Sequence, residues 1–97
     1  MTNKPYIPSI TPGQCRAARG LLGWTQEKLG WEAHISMSTV QAFESERYIP
    51  HPNHVEGIKR ILEERGIRFI DRGVQLVGGT SAPMNTTGRT VILGGRE

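Results

Sequence analysis

Between Ile10 and Arg65 the apolar residues recur three and four positions apart in four separate groups, the spacing of one buried face on an α-helix. Cys15, Ala18, Leu21 and Leu22 form the first group, Leu29 and Ala33 the second, Val40 and Phe43 the third. Val55, Ile58, Ile61 and Leu62 form the fourth. Capping residues punctuate them. Thr11 is placed to cap a helix that starts at Pro12, Gln14 completes a capping box, and Ile10 and Cys15 are set for a hydrophobic staple. This predicts helix 1 over Pro12 to Leu22, stopped by Gly23. Thr25 caps helix 2, Gln26 to Ala33, and Ser36 caps helix 3, Met37 to Ser45. Pro50 and Pro52 close that unit. Asn53, with Glu56 three residues later, reads as a second capping box for helix 4, His54 to Arg65, which ends at Gly66. Gly57 costs helix 4 up to ~1 kcal/mol against alanine, so this helix needs tertiary contacts.

After Gly66 the pattern changes. Ile67 to Ile70 and Val74 to Val77 are β-branched runs around Asp71-Arg72-Gly73, which predicts a hairpin. Ile67, Phe69, Val74 and Leu76 share a face if the loop has two residues. A three-residue loop with a bulge at Gly73 shifts that pairing, and the register stays open. Residues 78–88 are too poor in apolar side chains to pack, so 78–97 is expected to be a flexible tail. Within it, Thr90 to Leu93 is β-prone and either adds a strand to the hairpin, its own or a partner's, or stays disordered; disorder is the expectation. The chain thus divides into an arm (1–10), a helical domain (11–66), the hairpin (67–77) and the tail.

The 97 residues suffice for one small domain, and no apolar run approaches the ~18 residues of a membrane span. The first eight residues hold two prolines and no apolar segment, unlike a secretory signal, so a cytoplasmic location is expected. Cys15 is the single cysteine and reads as a buried packing residue. The net charge is +3, but from Pro12 to Ile49 four basic residues balance four acidic ones, so charge alone does not argue for nucleic acid. His51 and His54 lack a second ligand pair, so no metal or other cofactor is expected. The Glu44-Glu46 and Glu63-Glu64 pairs lack a nucleophile or base nearby, so no enzyme activity is expected.

The connection between helices 2 and 3 is short enough to force a steep crossing, the arrangement of a helix-turn-helix. The stretch TQEKLGWEAHISMSTVQAFESERYIP resembles that motif in lambda-repressor-like (Cro/CI-type, xenobiotic-response-element) transcriptional regulators. The matching positions are Thr25-Gln26, Leu29-Gly30, His34, Ile35-Ser36, Val40, Phe43-Glu44 and Arg47 to Pro50. QCRAARGLLGW resembles the family's first helix, and the likeness extends from Thr11 to Arg65. Two positions depart from the family pattern. Gly30 stands where the family has alanine, which fits sterically but loosens helix 2. His34 stands where it has glycine, at a turn position of positive φ.

The resemblance implies a mostly α fold: a four-helix lambda-repressor-like domain followed by a C-terminal β-hairpin. It implies a sequence-specific DNA-binding regulator, a dimeric repressor of its own or a neighbouring operon, with helix 3 in the major groove. Ser36, Met37, Ser38, Gln41, Ala42 and Ser45 then face the bases, Gln41 suited to adenine and Met37 or Ala42 to a thymine methyl. Thr25, Gln26, Arg47 and Tyr48 meet phosphates, with Lys28, Arg16 and Arg19 as weaker candidates. Glu44 anchors helix 3 by hydrogen bonding. Trp24 packs on the core, while Trp31 stays undecided. Ile67, Phe69, Val74 and Leu76 are the expected dimerisation residues, on a palindromic double-stranded operator. The competing expectation is an antitoxin or adaptor whose tail folds on a co-encoded protein partner.

Overall fold

The computed structural model describes residues 8–47, 50–77 and 89–93. Four helices, α1 (Pro12–Leu22), α2 (Gln26–Ala33), α3 (Met37–Glu44) and α4 (Pro52–Glu64), precede three strands, β1 (Ile67–Ile70), β2 (Gly73–Leu76) and β3 (Arg89–Ile92). The arm before residue 8, Tyr48 and most of the tail lie outside the described residues. Among the described residues no helix is long and apolar enough to cross a membrane.

The caps explain most of the helix boundaries. Thr11 Oγ1 accepts from the Gln14 amide at 3.0 Å while Gln14 Oε1 accepts from the Thr11 amide at 2.9 Å, the expected box. Gln14 also reaches across the fold: its Nε2 donates to the carbonyls of Ile70 at 2.9 Å and Gly73 at 3.1 Å, fastening the start of α1 to the hairpin. Thr25 and Ser36 cap α2 and α3 through the amides of Lys28 and Thr39. Helix α4 corrects the sequence reading. Its cap is His51, whose Nδ1 accepts from the Asn53 amide at 3.0 Å, because Pro52 has the fixed φ that suits the first helical position. Glu56 therefore closes no box with Asn53; its Oε2 accepts from the Ser9 hydroxyl at 2.6 Å.

The strands pair in the order β1-β2-β3, all antiparallel. Ile67 faces Leu76, Phe69 faces Val74 and Ile70 faces Gly73, so the loop is Asp71-Arg72 and Arg72 takes the positive φ, 60°. This register puts Ile67, Phe69, Val74 and Leu76 on one face, and that face packs on the protein's own helices. Ile67 and Val74 are fully buried, and Phe69 and Leu76 pack against the same core. Ile67 and Val74 therefore offer no surface to a partner, which corrects their expected assignment to dimerisation; Phe69 and Leu76, on the same face, are half-buried against the helices.

Residues 89–92 are a strand, contrary to the expectation of disorder. Val91 lies opposite Val74 and packs against the core, and Gly73 admits the close approach of β3. A Cβ at position 73 would run into the Val91 carbonyl oxygen. The partner that orders this strand is close in space and distant in sequence.

The core joins Ile10, Cys15, Ala18, Leu29, Val40 and Phe43 to Val55, Ile58 and Leu62, with the sheet closing one side. Trp24 packs against it, as expected. Lys28 Nζ lies 5.6 Å and Arg65 Cζ 5.9 Å from the Trp24 ring centroid, and Glu32 pairs with both cations, so α2 is tied to α4.

The crossing of α2 and α3 is tighter than the sequence suggested. A Cβ at Gly30 would lie 2.9 Å from the Ile35 carbonyl oxygen, a backbone atom with little freedom to move. Glycine is thus required at this crossing, and alanine does not fit without displacing the turn. Gly30→Ala is expected to be net destabilising: overpacking of about 1–3 kcal/mol opposes a helix-propensity gain of about 1 kcal/mol. Urea denaturation of the two proteins measures the balance; an unchanged or higher midpoint contradicts the tight crossing. His34 ends α2 at φ 61°, the left-handed conformation expected of that turn.

Candidate nucleic-acid interface

Helix α3 buries Val40 and Phe43 and turns a polar face outward. Ser36, Met37, Ser38 and Ser45 are exposed and Gln41 is half-buried. Ser36 is also a structural residue: its Oγ accepts from the Thr39 amide at 3.1 Å and lies 3.2 Å from Ser38 Oγ. Ala42 is buried, at 8% exposure, and leaves the set of expected base contacts. A single methyl projects little beyond the backbone, and the chain turns back here, with Glu46 at φ 64° and the Arg47 amide donating to the Ala42 carbonyl at 3.1 Å.

Glu44 holds the inner end of this helix. It is 3% exposed, and its Oε2 accepts from Arg19 Nε at 2.7 Å and from the Cys15 thiol at 3.0 Å. Its Oε1 accepts from Arg19 Nη2 at 2.7 Å and from Gln26 Nε2 at 3.0 Å. Arg16 donates to the Glu44 backbone carbonyl, and Arg19 Nη1 donates to the Trp24 carbonyl at 2.9 Å. One carboxylate therefore joins α1, the first turn of α2 and the last turn of α3. Sequence reasoning expected Glu44 to be an anchor but missed its partners. Cys15 and Arg19 are four apart on α1, which places them on one face, and that spacing was the available signal.

Burial works to raise the Glu44 pKa, but the hydrogen bonds from Arg19, Gln26 and Cys15, with the Arg19 charge, hold it below the ordinary carboxylate value. The Glu44 hydrogen bond in turn raises the pKa of Arg19. Burial, then the Glu44 charge, pushes the Cys15 thiol far up, so Cys15 is a neutral hydrogen-bond donor. The two shifts have opposite consequences with pH. The depressed Glu44 contributes stability that is present above the unfolded carboxylate pKa, about 4.3, and lost as pH falls through the folded value. The raised Cys15 contributes stability that is complete below the unfolded thiol pKa, about 8.5, and falls by about 1.4 kcal/mol per pH unit above it. Denaturation series on wild type and Cys15→Ser should show the alkaline decline shallower in the variant by that slope. Equal slopes contradict the buried neutral thiol.

Gln26, Gln41, Ser45 and Arg47, together with Arg16 and Arg19, line one open concavity of about 590 Å³, with Glu44 beneath. Three guanidinium groups face one carboxylate there, so the local balance is positive although the charge count over this stretch of sequence is zero. The fold has gathered Arg16, Arg19 and Arg47 here, while Glu27 and Glu32 line a separate hollow beside Trp31. No family model matches this chain, and no curated protein matches it in sequence.

The other expected contacts lie to the sides. Ser36 and Met37 line a hollow at the α2–α3 turn beside Trp31, which is 75% exposed. Thr25 and Lys28 line another, on the far side of Trp31. Thr25 Oγ1 is taken up by the Lys28 amide, and Lys28 Nζ is paired with Glu32 at 3.0 Å, which weakens its claim as a phosphate contact. The Gln26 and Glu27 amides at the start of α2 have no helical acceptor and remain donors for an anion. Chemically, the surface combines a side-chain amide and hydroxyls with flanking guanidinium groups. Among the described residues no three of His, Cys, Asp and Glu gather as a metal site.

Proposed function

We propose that this protein is a sequence-specific DNA-binding transcriptional regulator. In this reading α2 and α3 form a helix-turn-helix of the lambda-repressor-like type, and the protein represses its own or a neighbouring operon as two copies on a palindromic operator. The observation that carries it is the convergence of Gln26, Gln41, Ser45 and Arg47 with Arg16 and Arg19 in one positively charged concavity beside the exposed face of α3. Helix α3 enters the major groove and Gln41 makes a bidentate pair with adenine, while Ser38 and Ser45 donate or accept at neighbouring bases. Met37, 44% exposed, rests on a thymine methyl. Arg47, Arg16 and the first amides of α2 neutralise or bond phosphates. Arg19 is tied to Glu44 and positions the other groups. The base-facing set, Ser36, Met37, Ser38, Gln41 and Ser45, contains no arginine for guanine, so DNA shape and phosphate contacts supply much of the affinity. No catalysis is assigned, and the protein works in the cytoplasm, with the DNA.

Trp31 supports a second reading. An indole three-quarters exposed beside Met37 suits a protein contact, as in an antitoxin or adaptor that acts mainly through a co-encoded partner. Fluorescence anisotropy with the protein's own upstream duplex and a scrambled duplex, at two salt concentrations, separates the readings. The regulator binds the native duplex more tightly and loses affinity for both as salt rises. Absence of binding to either duplex favours the adaptor.

A further inference from the structure

The protein holds two indoles, and their surroundings differ by a cation. At Trp24 the set is complete. The Lys28 ammonium and the Arg65 guanidinium lie over its ring, and Glu32 pairs with both. Trp31 is three-quarters exposed, and among the described residues no cation lies over its ring. Glu27, four residues earlier on the same face of α2, lines the hollows on both sides of Trp31. It has no ion pair among the described residues. Indole and carboxylate thus stand together at Trp31 without the cation that joins them at Trp24.

The surroundings of Trp31 are also apolar. Met37, itself exposed, and the half-buried Ile35 line the hollow on one side, and Gly30 adds no side chain to fill it. Exposed apolar patches mark contact surfaces, and tryptophan is among the side chains that most often anchor them. The charges indicate what kind of partner fits. Three guanidinium groups line the concavity beside α3, whereas the other hollow at Trp31 is lined by Glu27, Glu32 and a Lys28 that Glu32 already engages. Such a rim repels nucleic acid and draws a cation, and an indole face is the best aromatic seat for one.

We propose that Trp31 and Glu27 dock a basic segment of a partner protein. A lysine or arginine of the partner lies over the Trp31 ring in an ion pair with Glu27, and an apolar neighbour packs on Ile35 and Met37. The hollow that takes this neighbour is also lined by Ser36, so it uses two members of the base-facing set. Partner and operator therefore exclude each other, and arrival of the partner takes the protein off DNA. The inference deepens the partner reading, and its exclusion clause rests on the DNA reading as well.

Panning random peptides displayed on phage against the full chain, then synthesising and titrating the winners, tests this. Winners should carry lysine or arginine beside a large apolar residue. Trp31→Ala should weaken them roughly thirtyfold, as loss of an interface anchor does, and Glu27→Lys at least about tenfold. Trp31 is largely exposed, so Trp31→Ala should keep the wild-type circular dichroism and bind the upstream duplex as wild type does. A saturating winner should release the labelled duplex, and the duplex should weaken the winner by the same factor. No enrichment, equal enrichment by Trp31→Ala, or acidic winners overturn the docking site. A winner that binds while the duplex stays bound overturns the exclusion. A Trp31→Ala variant that loses the duplex makes Trp31 a DNA-side residue and overturns the proposal. The DNA reading fails separately: a protein that holds basic winners through Trp31 and binds no duplex keeps the partner and loses the regulator.

Discussion

Glu44→Ala is expected to lower the free energy of unfolding by about 3–5 kcal/mol, out of the ~5–15 kcal/mol that a domain of this kind holds. The Glu44 side chain is 2% exposed and that of Arg19 18%, so truncation leaves a guanidinium largely desolvated without its charge partner. It also leaves Cys15 Sγ and Gln26 Nε2 without their acceptor. Arg19→Ala should cost less, because the carboxylate keeps the bonds from Cys15 and Gln26. The double variant should fall short of the sum of the singles by about 0.5–3 kcal/mol, the coupling expected of residues in one network. Urea denaturation at neutral pH reads all four corners of the cycle. Additive losses would mean that the constellation does not act as a unit. Because Glu44 links three helices, the same substitution should broaden the amide signals of α3 before the rest of the protein unfolds.

The second large effect concerns binding. Gln41→Ala should weaken binding to the native duplex by about 1–3 kcal/mol, roughly 5- to 150-fold, and leave the scrambled duplex nearly unchanged. Arg47→Ala should weaken both duplexes alike and reduce the salt slope by about one charge. The contrast separates reading of bases from attraction to phosphate. Anisotropy titrations over a salt series measure both numbers. A Gln41 variant that loses both duplexes equally would make Gln41 a structural or phosphate-side residue. An unchanged salt slope in the Arg47 variant would remove Arg47 from the interface.

Helices α1 and α2 were legible in the sequence because Thr11-Pro12, Gly23 and Thr25 are local signals whose partners lie within one turn. The start of α4 was missed because histidine is an uncommon cap, and because Pro52 at the first helical position outweighs a box from Asn53. The hairpin was legible as an element, and its register followed only once the two-residue loop was known. Strand β3 was not legible, since its order depends on Val74 and Gly73, reached across a stretch with little apolar content. At the candidate site the polar face of α3 followed from helical spacing. The burial of Ala42 did not, because it depends on where the chain turns after Ser45. Nor did the meeting of Arg16 and Arg19 with Gln41 and Arg47, because it depends on how α1 packs against α3. The sequence count that balanced to zero concealed a positive surface for the same reason.

The central claim is that the outer face of α3 reads DNA. The most direct measurement is a map of amide chemical-shift changes as the protein is titrated with its own upstream duplex. The predicted result is a contiguous set of changes over residues 36–45, with Gln26 and Arg47, and little change in β1 or in α4. Tight binding with the changes centred on the sheet or on α4, and α3 unmoved, would contradict it.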